Sequence, residues 1–322
     1  MPTTISVAPA SSKRDTTRFR VAKAEATAGT MLTSFVGMPL SVFGRRTMQL
    51  TTSAMTAPQA TTRIPARNVE AERRTALSEV LAHHSLSIVL PAYNEERSIG
   101  ATLADVTMAL NAWGAAYEVV VVNDGSRDHT GEVIAAFAAR EPHVRVVTHA
   151  DNQGYGAAVK SGFAAAANDL TFFMDSDGQF MIADLPGLLV HIESVDAVLG
   201  YRIHRQDAPK RLLNAWSWKA LVYLALGVHV RDLDCAYKVF RTDFLHAYPP
   251  TTSGALLNAE LLYTLNRVGA TYREVGVRHL PRNGGRATGA NLRVILRALR
   301  DLVRYAWRQR RRYDAPSSSP LA

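Results

Sequence analysis

"YEVVVVNDGSRDHTGEVIAAFAAREPHVRVVTH", residues 117–149, decides the fold. Its Val run, Val119 to Val122, is short and β-branched, so it reads as a strand buried on both faces. Asn123, Asp124, Gly125 and Ser126 end the run with turn-forming residues. A helical stretch (128–140) and a second Val-rich run (143–149) follow. Strand, helix and strand in so short a span make a βαβ unit with parallel strands.

The pattern continues outward in both directions. "SLSIVLP" (85–91) precedes it, and "DLTFFMD" (169–175) and "VDAVLGYR" (195–202) follow as further strands. Between the strands lie helical stretches at 96–113, 154–167 and 184–193. The alternation predicts an α/β fold: a mostly parallel central sheet with helices on both faces. Beyond residue 205 come an apolar helix (209–227), a strand-like "VRDLDCAYKVFR" (230–241) and a helix at 255–268. A strand at 271–280 and a cationic helix at about 289–312 complete the series. Residues 1–80, rich in Thr, Ala, Ser and Arg without sustained period, read as a disordered basic N-terminal extension. Met31, Met38, Met48 and Met55 would each serve as a later start. Residues 81–312 form the folded domain, and 313–322 a disordered tail.

The 322 residues are 47% hydrophobic, enough for a sizeable core. The net charge of +9 suits nucleic acid, anionic lipid or phosphorylated ligands, and it concentrates in the first 80 and last 40 residues. There is no basic stripe with interleaved aromatics and no known nucleic-acid module, so nucleic acid is not an expected partner. Cys235 is the only cysteine, which leaves no internal disulfide and no cysteine-based zinc site and points to the cytoplasm. No segment offers the roughly 18 uncharged apolar residues of a membrane span.

In open α/β sheets, ligands bind beyond the carboxyl ends of the strands. Four polar clusters fall there: "PAYNEE" (91–96), "NDGSRD" (123–128), "DNQGYG" (151–156) and "DSDGQ" (175–179). Any one alone is ordinary turn chemistry. Asp175 and Asp177, with the Gln179 carbonyl nearby, suit a hard divalent cation that also holds waters and a substrate's phosphates. The plain alternative is an Asx turn closing a strand. A phosphatase of the haloacid-dehalogenase type also carries Asp-x-Asp after an apolar strand, with the first Asp as nucleophile. There the motif usually follows the first strand, with Thr or Val two residues after the second Asp; here it follows the fourth, and position 179 is Gln. Gly154-Tyr155-Gly156 begins a dinucleotide-type glycine loop, but Val159 stands in its third place.

Taken together, "IVLPAYNEE", "VVVVNDGSRDHT", "NQGYGAAVKSGF" and "FFMDSDGQF" resemble the family 2 glycosyltransferases. The likeness is closest to the dolichyl-phosphate mannose synthase and polyprenyl-phosphate glycosyltransferase branch. It covers about residues 85–300 and implies a GT-A fold: a nucleotide-sugar-binding α/β half joined to an acceptor-binding half. It further implies an inverting, metal-dependent transfer of sugar from a nucleotide-diphospho-sugar. Position by position, it makes Pro91, Tyr93 and Glu95 nucleotide contacts, with Asp124 on the base or ribose and Lys160 close by. Asp175 and Asp177 become the D-x-D that holds Mg²⁺ or Mn²⁺ on the donor, with Gln179 a further ligand. "VRDLDCAYKVFR" resembles the family's D-x-x-C-G-F-K-x-F-R stretch, with Ala236 and Tyr237 replacing Gly and Phe. Asp232 there matches the general-base position, and Asp234 is the rival carboxylate, on the same side if the stretch is a strand. Cys235 reads as a packed thiol. "HLPRNGGRATGAN" (279–291) resembles a segment that closes over the diphosphate, with Arg282 and Arg286 as phosphate contacts. Arg202 is a third candidate, and Asn258 and Glu260 open a helix on the acceptor side.

In the terminal helix, Leu292, Ile295, Leu299, Leu302 and Ala306 form an apolar stripe, while Arg293, Arg297, Arg300, Arg304 and Arg308 run along another face. With Trp307, such a helix suits an anionic membrane surface, at the inner face of a membrane, and hence a lipid-phosphate acceptor. The alternative is a closing helix with solvated arginines. The lipid-linked branch often adds transmembrane helices after the catalytic domain; this chain shows none. Two rival functions remain: a metal-dependent phosphatase and a non-catalytic basic binding protein.

Overall fold

The computed structural model describes residues 66–203, 209–252, 254, 256–281 and 292–314. All of them lie in the unit Ile64–Ala322. Among the described residues, seven strands form one sheet. Strand β1 (Leu86–Ala92), all of whose residues are buried, runs parallel to β2 (Tyr117–Asn123) on one side and β4 (Leu170–Met174) on the other. Strand β3 (Val144–Thr148) adds to β2 in parallel. Strand β6 (Tyr237–Arg241) is antiparallel between β4 and β5 (Ala197–Ile203), and β7 (Tyr272–Arg278) runs parallel to β5. The carboxyl ends of six strands and the amino end of β6 therefore share one edge.

Helices connect and flank the strands. They are α1 (Ala66–His83), α2 (Ile99–Ala112), α3 (Thr130–Ala138), α4 (Tyr155–Ala165), α5 (Pro186–Leu189) and α6 (Pro209–Leu226). Three more follow: α7 (Thr242–Ala247), α8 (Leu257–Val268) and α9 (Leu292–Asp314). Helix α2 buries Ile99, Leu103, Val106 and Leu110, a stripe spaced by three and four residues that suits one helix face. Helix α4 packs on β1 and β2 through Gly162. A Cβ at Gly162 would stand 2.2 Å from Val89 Cγ1, so the helix lies on the strand only because that side chain is absent. Gly162→Ala is expected to cost about 1–3 kcal/mol by overpacking. The loss reads as a melting temperature lower by roughly 2–4 °C per kcal/mol. An unchanged melting temperature would mean that Val89 turns aside freely.

Three stretches differ from their sequence reading. Residues 184–193 are not one helix. A 3₁₀ turn (Ile182–Asp184) and the short α5 replace it, because Pro186 fits a first turn but not a helix interior. The strand-like 230–241 pairs only from Tyr237 onward, so residues 230–236 are turn and loop. Within the stretch read as extension, residues 66–80 belong to α1, which buries Leu77, Val80 and Leu81 at helical spacing. In α9, Leu302 and Tyr305 are buried, and Tyr305 meets Tyr263 of α8 edge-on at 5.8 Å. Arg300, Arg304, Arg308, Val303 and Trp307 remain exposed.

Candidate active site

Two loops at the shared edge are laced together. In the β1–α2 loop, Asn94 N–H donates to Ser126 Oγ (3.1 Å), and Arg127 N–H donates back to Asn94 Oδ1 (2.9 Å). Glu95 N–H donates to Thr130 Oγ1 (2.8 Å), whose own hydroxyl donates to Asp128 Oδ1 (2.6 Å). Ser98 donates to the Glu95 carboxylate at 2.9 Å. Pro91 meets the site through its backbone, since its carbonyl accepts from Ser176 Oγ (2.7 Å). Tyr93 is 37% exposed beside it.

Asp124 is the hub of the next loop. Its two oxygens accept from His149 Nδ1 (2.6 Å), Gln153 N (2.9 Å), Asn152 Nδ2 (3.0 Å) and Gly154 N (2.8 Å). These donors shape residues 151–154 and the start of α4, and they occupy the carboxylate that the resemblance assigns to the nucleotide. His149 Nε2 in turn pairs with Ser161 Oγ at 2.8 Å. Gly125, at φ +65°, lets the two loops touch: a Cβ there would lie 2.5 Å from the Asp151 carbonyl carbon. Lys160 reaches the Thr251 carbonyl at 3.4 Å.

At the end of β4, Ser176 is buried and tied on two sides, donating to Pro91 and accepting at its carbonyl from Thr102 Oγ1 (3.3 Å). Asp175 and Asp177 flank it and are only partly covered. Burial, with the charge of Asp177 adding to it, pushes the Asp175 carboxyl up to about 7, although the Tyr155 hydroxyl donates to it and opposes the shift. Gln179 is buried, with Nε2 donating to the Leu280 carbonyl (3.0 Å) and Leu280 N–H donating to the Gln179 carbonyl (2.8 Å). That leaves its side-chain oxygen as the atom it could offer a cation. Among the described residues no group of three or more His, Cys, Asp or Glu is placed to hold a metal ion. The donor set still fits Mg²⁺ or Mn²⁺, which take one or two carboxylates and complete their shell with waters and substrate phosphates. Two adjacent carboxylates that resist joint ionisation are what such a charge relieves.

The sign of this pressure is testable without metal. The folded Asp175 keeps a proton that the unfolded chain, titrating near 3.8, has already released. Metal-free protein therefore loses stability as pH rises between these values, and the loss is complete above about 7. In the presence of chelator, Asp175→Asn should melt above wild type at pH 8, with a smaller gap at pH 5. A gap independent of pH would contradict the assignment.

Across the edge, Arg202 and Asp232 form a buried pair, their side chains 8% and 9% exposed. Arg202 Nε and Nη2 donate to the two carboxylate oxygens at 2.7 and 2.8 Å, and its backbone N–H adds a bond of 3.2 Å. Burial works against the guanidinium charge, but the bonds and charge of Asp232 outweigh it and raise its proton affinity. Arg202, read in the sequence as a phosphate contact, thus directs Nε–H and one Nη2–H at Asp232. In the 232–235 turn Leu233 and Cys235 are buried, and Asp234 is half-buried. Burial pushes the Cys235 thiol up to about 12, which leaves it inert. Glu260 is buried and accepts from Thr251 and Thr252, so it ties down a loop; Asn258 accepts from Lys238. Arg282 and Arg286 lie outside the described residues.

The structure thus gathers Asp175, Asp177, Tyr155, Arg202, Asp232 and Asp234 around the ends of β4, β5 and β6. Tyr155, His149 and Lys238 escaped the sequence reading. Lys238 carried a signal, being a charge inside a strand flanked by Tyr237, Val239 and Phe240. A cavity of about 1010 Å³ opens beside Asn94, Glu95 and Asp177 and follows Ala101, Asp105 and Met108 of α2. Asp175, Arg202 and Asp232 do not line it.

A mostly parallel sheet with one antiparallel strand, and acidic loops at its shared edge, defines a GT-A fold. Mannosyl-3-phosphoglycerate synthase from Rubrobacter xylanophilus superposes with a TM-score of 0.59 at 19% identity, over 76% of this chain and 82% of that one. Glucosyl-3-phosphoglycerate synthase from Mycobacterium tuberculosis, solved with Mn²⁺, UDP and glucosyl-3-phosphoglycerate, gives a TM-score of 0.56 at 21% identity over 71% and 81%. The pattern of glycosyl transferase family 2 matches residues 87–248, half of the chain, and the protein belongs to that family. Curated relatives include the undecaprenyl-phosphate 4-deoxy-4-formamido-L-arabinose transferase of Shewanella sediminis, 35% identical over 165 residues (50% of each chain). Another is the dolichyl-phosphate beta-glucosyltransferase of Trichomonas vaginalis, 31% identical over 172 residues (48% of this chain, 51% of that one). The chain spans about half the length of both relatives. Among the described residues no helix is long and apolar enough to cross a membrane.

Proposed function

We propose that the protein transfers a sugar from a nucleoside-diphosphate sugar to the phosphate of a polyprenyl lipid, with inversion at the anomeric carbon. The carrying observation is the Asp175–Asp177 pair at the end of β4, facing the same edge as the Arg202–Asp232 pair. Asp175 and Asp177, helped by the Gln179 side-chain oxygen, would hold Mg²⁺ or Mn²⁺, which when bound supplies positive charge to the departing diphosphate. Tyr155 holds Asp175 from the α4 side. Pro91, Tyr93 and Glu95 border the nucleotide, and Asp124 acts through the loop it organises. Arg282 and Arg286 would complete the diphosphate pocket. With Nε–H and Nη2–H of Arg202 already on its carboxylate, Asp232 orients the acceptor oxygen. A phosphate acceptor, ionised near neutral pH, leaves a base little proton to remove.

The names of the curated relatives support a lipid phosphate, and the exposed face of α9 supports a peripheral place on the cytoplasmic side of an anionic membrane. Arg300, Arg304 and Arg308 stand there beside Trp307 (53% exposed) and Val303 (68% exposed). The test is transfer of labelled sugar from a panel of UDP-, GDP- and dTDP-sugars to undecaprenyl phosphate with Mn²⁺. Label extracted into solvent is expected. Label that appears only on a water-soluble acceptor such as 3-phosphoglycerate, or only as free sugar, would contradict the lipid acceptor.

A further inference from the structure

Lys238 is fully buried in β6, in the middle of the sheet, where lysine is almost never found without a reason. Its neighbours in register are Phe173 of β4 and Leu199 of β5, and its Nζ stands 5.7 Å from the centre of the Phe173 ring. An ammonium has three N–H donors. Here they meet three acceptors: the carbonyl of Cys235, the carbonyl of Leu233 at 3.5 Å and Asn258 Oδ1 at 3.1 Å. Two of these belong to the turn that carries Asp232 and Asp234. Burial disfavours the charge, while the nearby Asp232 and Asp234 favour it and Arg202 opposes it. The turn is thus held at both ends by buried cations, Arg202 on the Asp232 carboxylate and Lys238 on the backbone beneath.

We propose that Lys238 is a positioning residue, whose ammonium binds the Leu233 and Cys235 carbonyls and so fixes Asp232 and Asp234 at the sheet edge beside Asp175. This rests on the proposed transfer reaction, in which Asp232 orients the acceptor. A side chain of equal length without the donors would fill the space yet leave two main-chain carbonyls without their partner, and the turn would drift. Displacements near 1 Å from a reacting geometry cost about 10²-fold in rate. Nucleotide binding, which uses the other loops, would be spared.

The experiment compares K238M, K238R and N258A with wild type in four readouts. These are turnover of the donor that wild type uses, donor KM, melting temperature, and amide exchange over residues 233–236 against residues 119–123. Folded K238M is expected to lose at least about 10²-fold in kcat with donor KM within threefold, and to exchange faster at 233–236 alone. K238R should recover about tenfold or more, since its donors reach the same carbonyls. An unchanged kcat, a donor KM that rises as kcat falls, or a K238R as slow as K238M would overturn the proposal. If K238M does not fold, N258A, which removes one acceptor, should lower kcat at constant KM; no change would overturn it. If wild type transfers no sugar at all, the proposed function fails. The exchange readout then decides alone, and equal protection at 233–236 in K238M and wild type would sink the positioning role.

Discussion

Asp232→Asn is expected to cost about 3 kcal/mol of stability, because it leaves the buried Arg202 guanidinium without its counter-charge. Transfer should fall by about 10² or more for want of an oriented acceptor, while binding of the nucleoside diphosphate stays within a few-fold of wild type. The three N–H donors from Arg202 and the 8–9% exposure of both side chains motivate the size of the stability effect. Arg202→Met should cost a similar amount. A double variant, Arg202→Met with Asp232→Leu, should regain most of the stability, since a well-packed apolar pair replaces a buried ion pair at little cost. It should regain none of the transfer. That contrast separates the two roles of the pair, and urea unfolding with donor turnover measures both. Recovery of transfer in the double variant would show that Asp232 only holds the fold.

Asp177→Ala is expected to lower transfer by about 10³-fold or more, the rate equivalent of the several kcal/mol that a bound cation contributes to a departing diphosphate. The fold should survive, because Asp177 is partly exposed and the bond it accepts from Gln179 N–H at 3.1 Å is local. Removing this charge also relieves Asp175, which should then ionise at lower pH. Steady-state turnover across Mn²⁺ concentrations checks this. A variant that regains full rate with excess Mn²⁺ would mean that Asp177 tunes affinity only.

Much of the architecture was legible because each strand changes composition abruptly at the edge. Val119–Val122 gives way to Asn123-Asp124-Gly125, and Leu170–Met174 to Asp175-Ser176-Asp177. Buried strands demand apolar residues and turns demand Asn, Asp and Gly, so both strand and ligand edge show in the letters. The antiparallel run of β6 did not show, because strand direction depends on connections rather than composition. Nor did the end of pairing at Tyr237, which the Arg202–Asp232 and Lys238 bonds help set from distant parts of the chain. The family resemblance places Asp124 on the base or ribose of a nucleotide. Only folding brings His149, Asn152, Gln153 and Gly154 onto its oxygens. Arg202 illustrates the same point: only folding brings a carboxylate thirty residues on to its Nε–H and Nη2–H.

The central claim is that the strand-end edge binds a nucleoside diphosphate through a divalent cation. Calorimetric titration of wild type and Asp177→Ala with UDP, GDP, CDP and dTDP, with and without Mn²⁺, tests it most directly. Binding of one nucleotide that requires Mn²⁺ and disappears in the variant is the predicted result. Binding of none of them, or binding indifferent to both Mn²⁺ and Asp177, would contradict it.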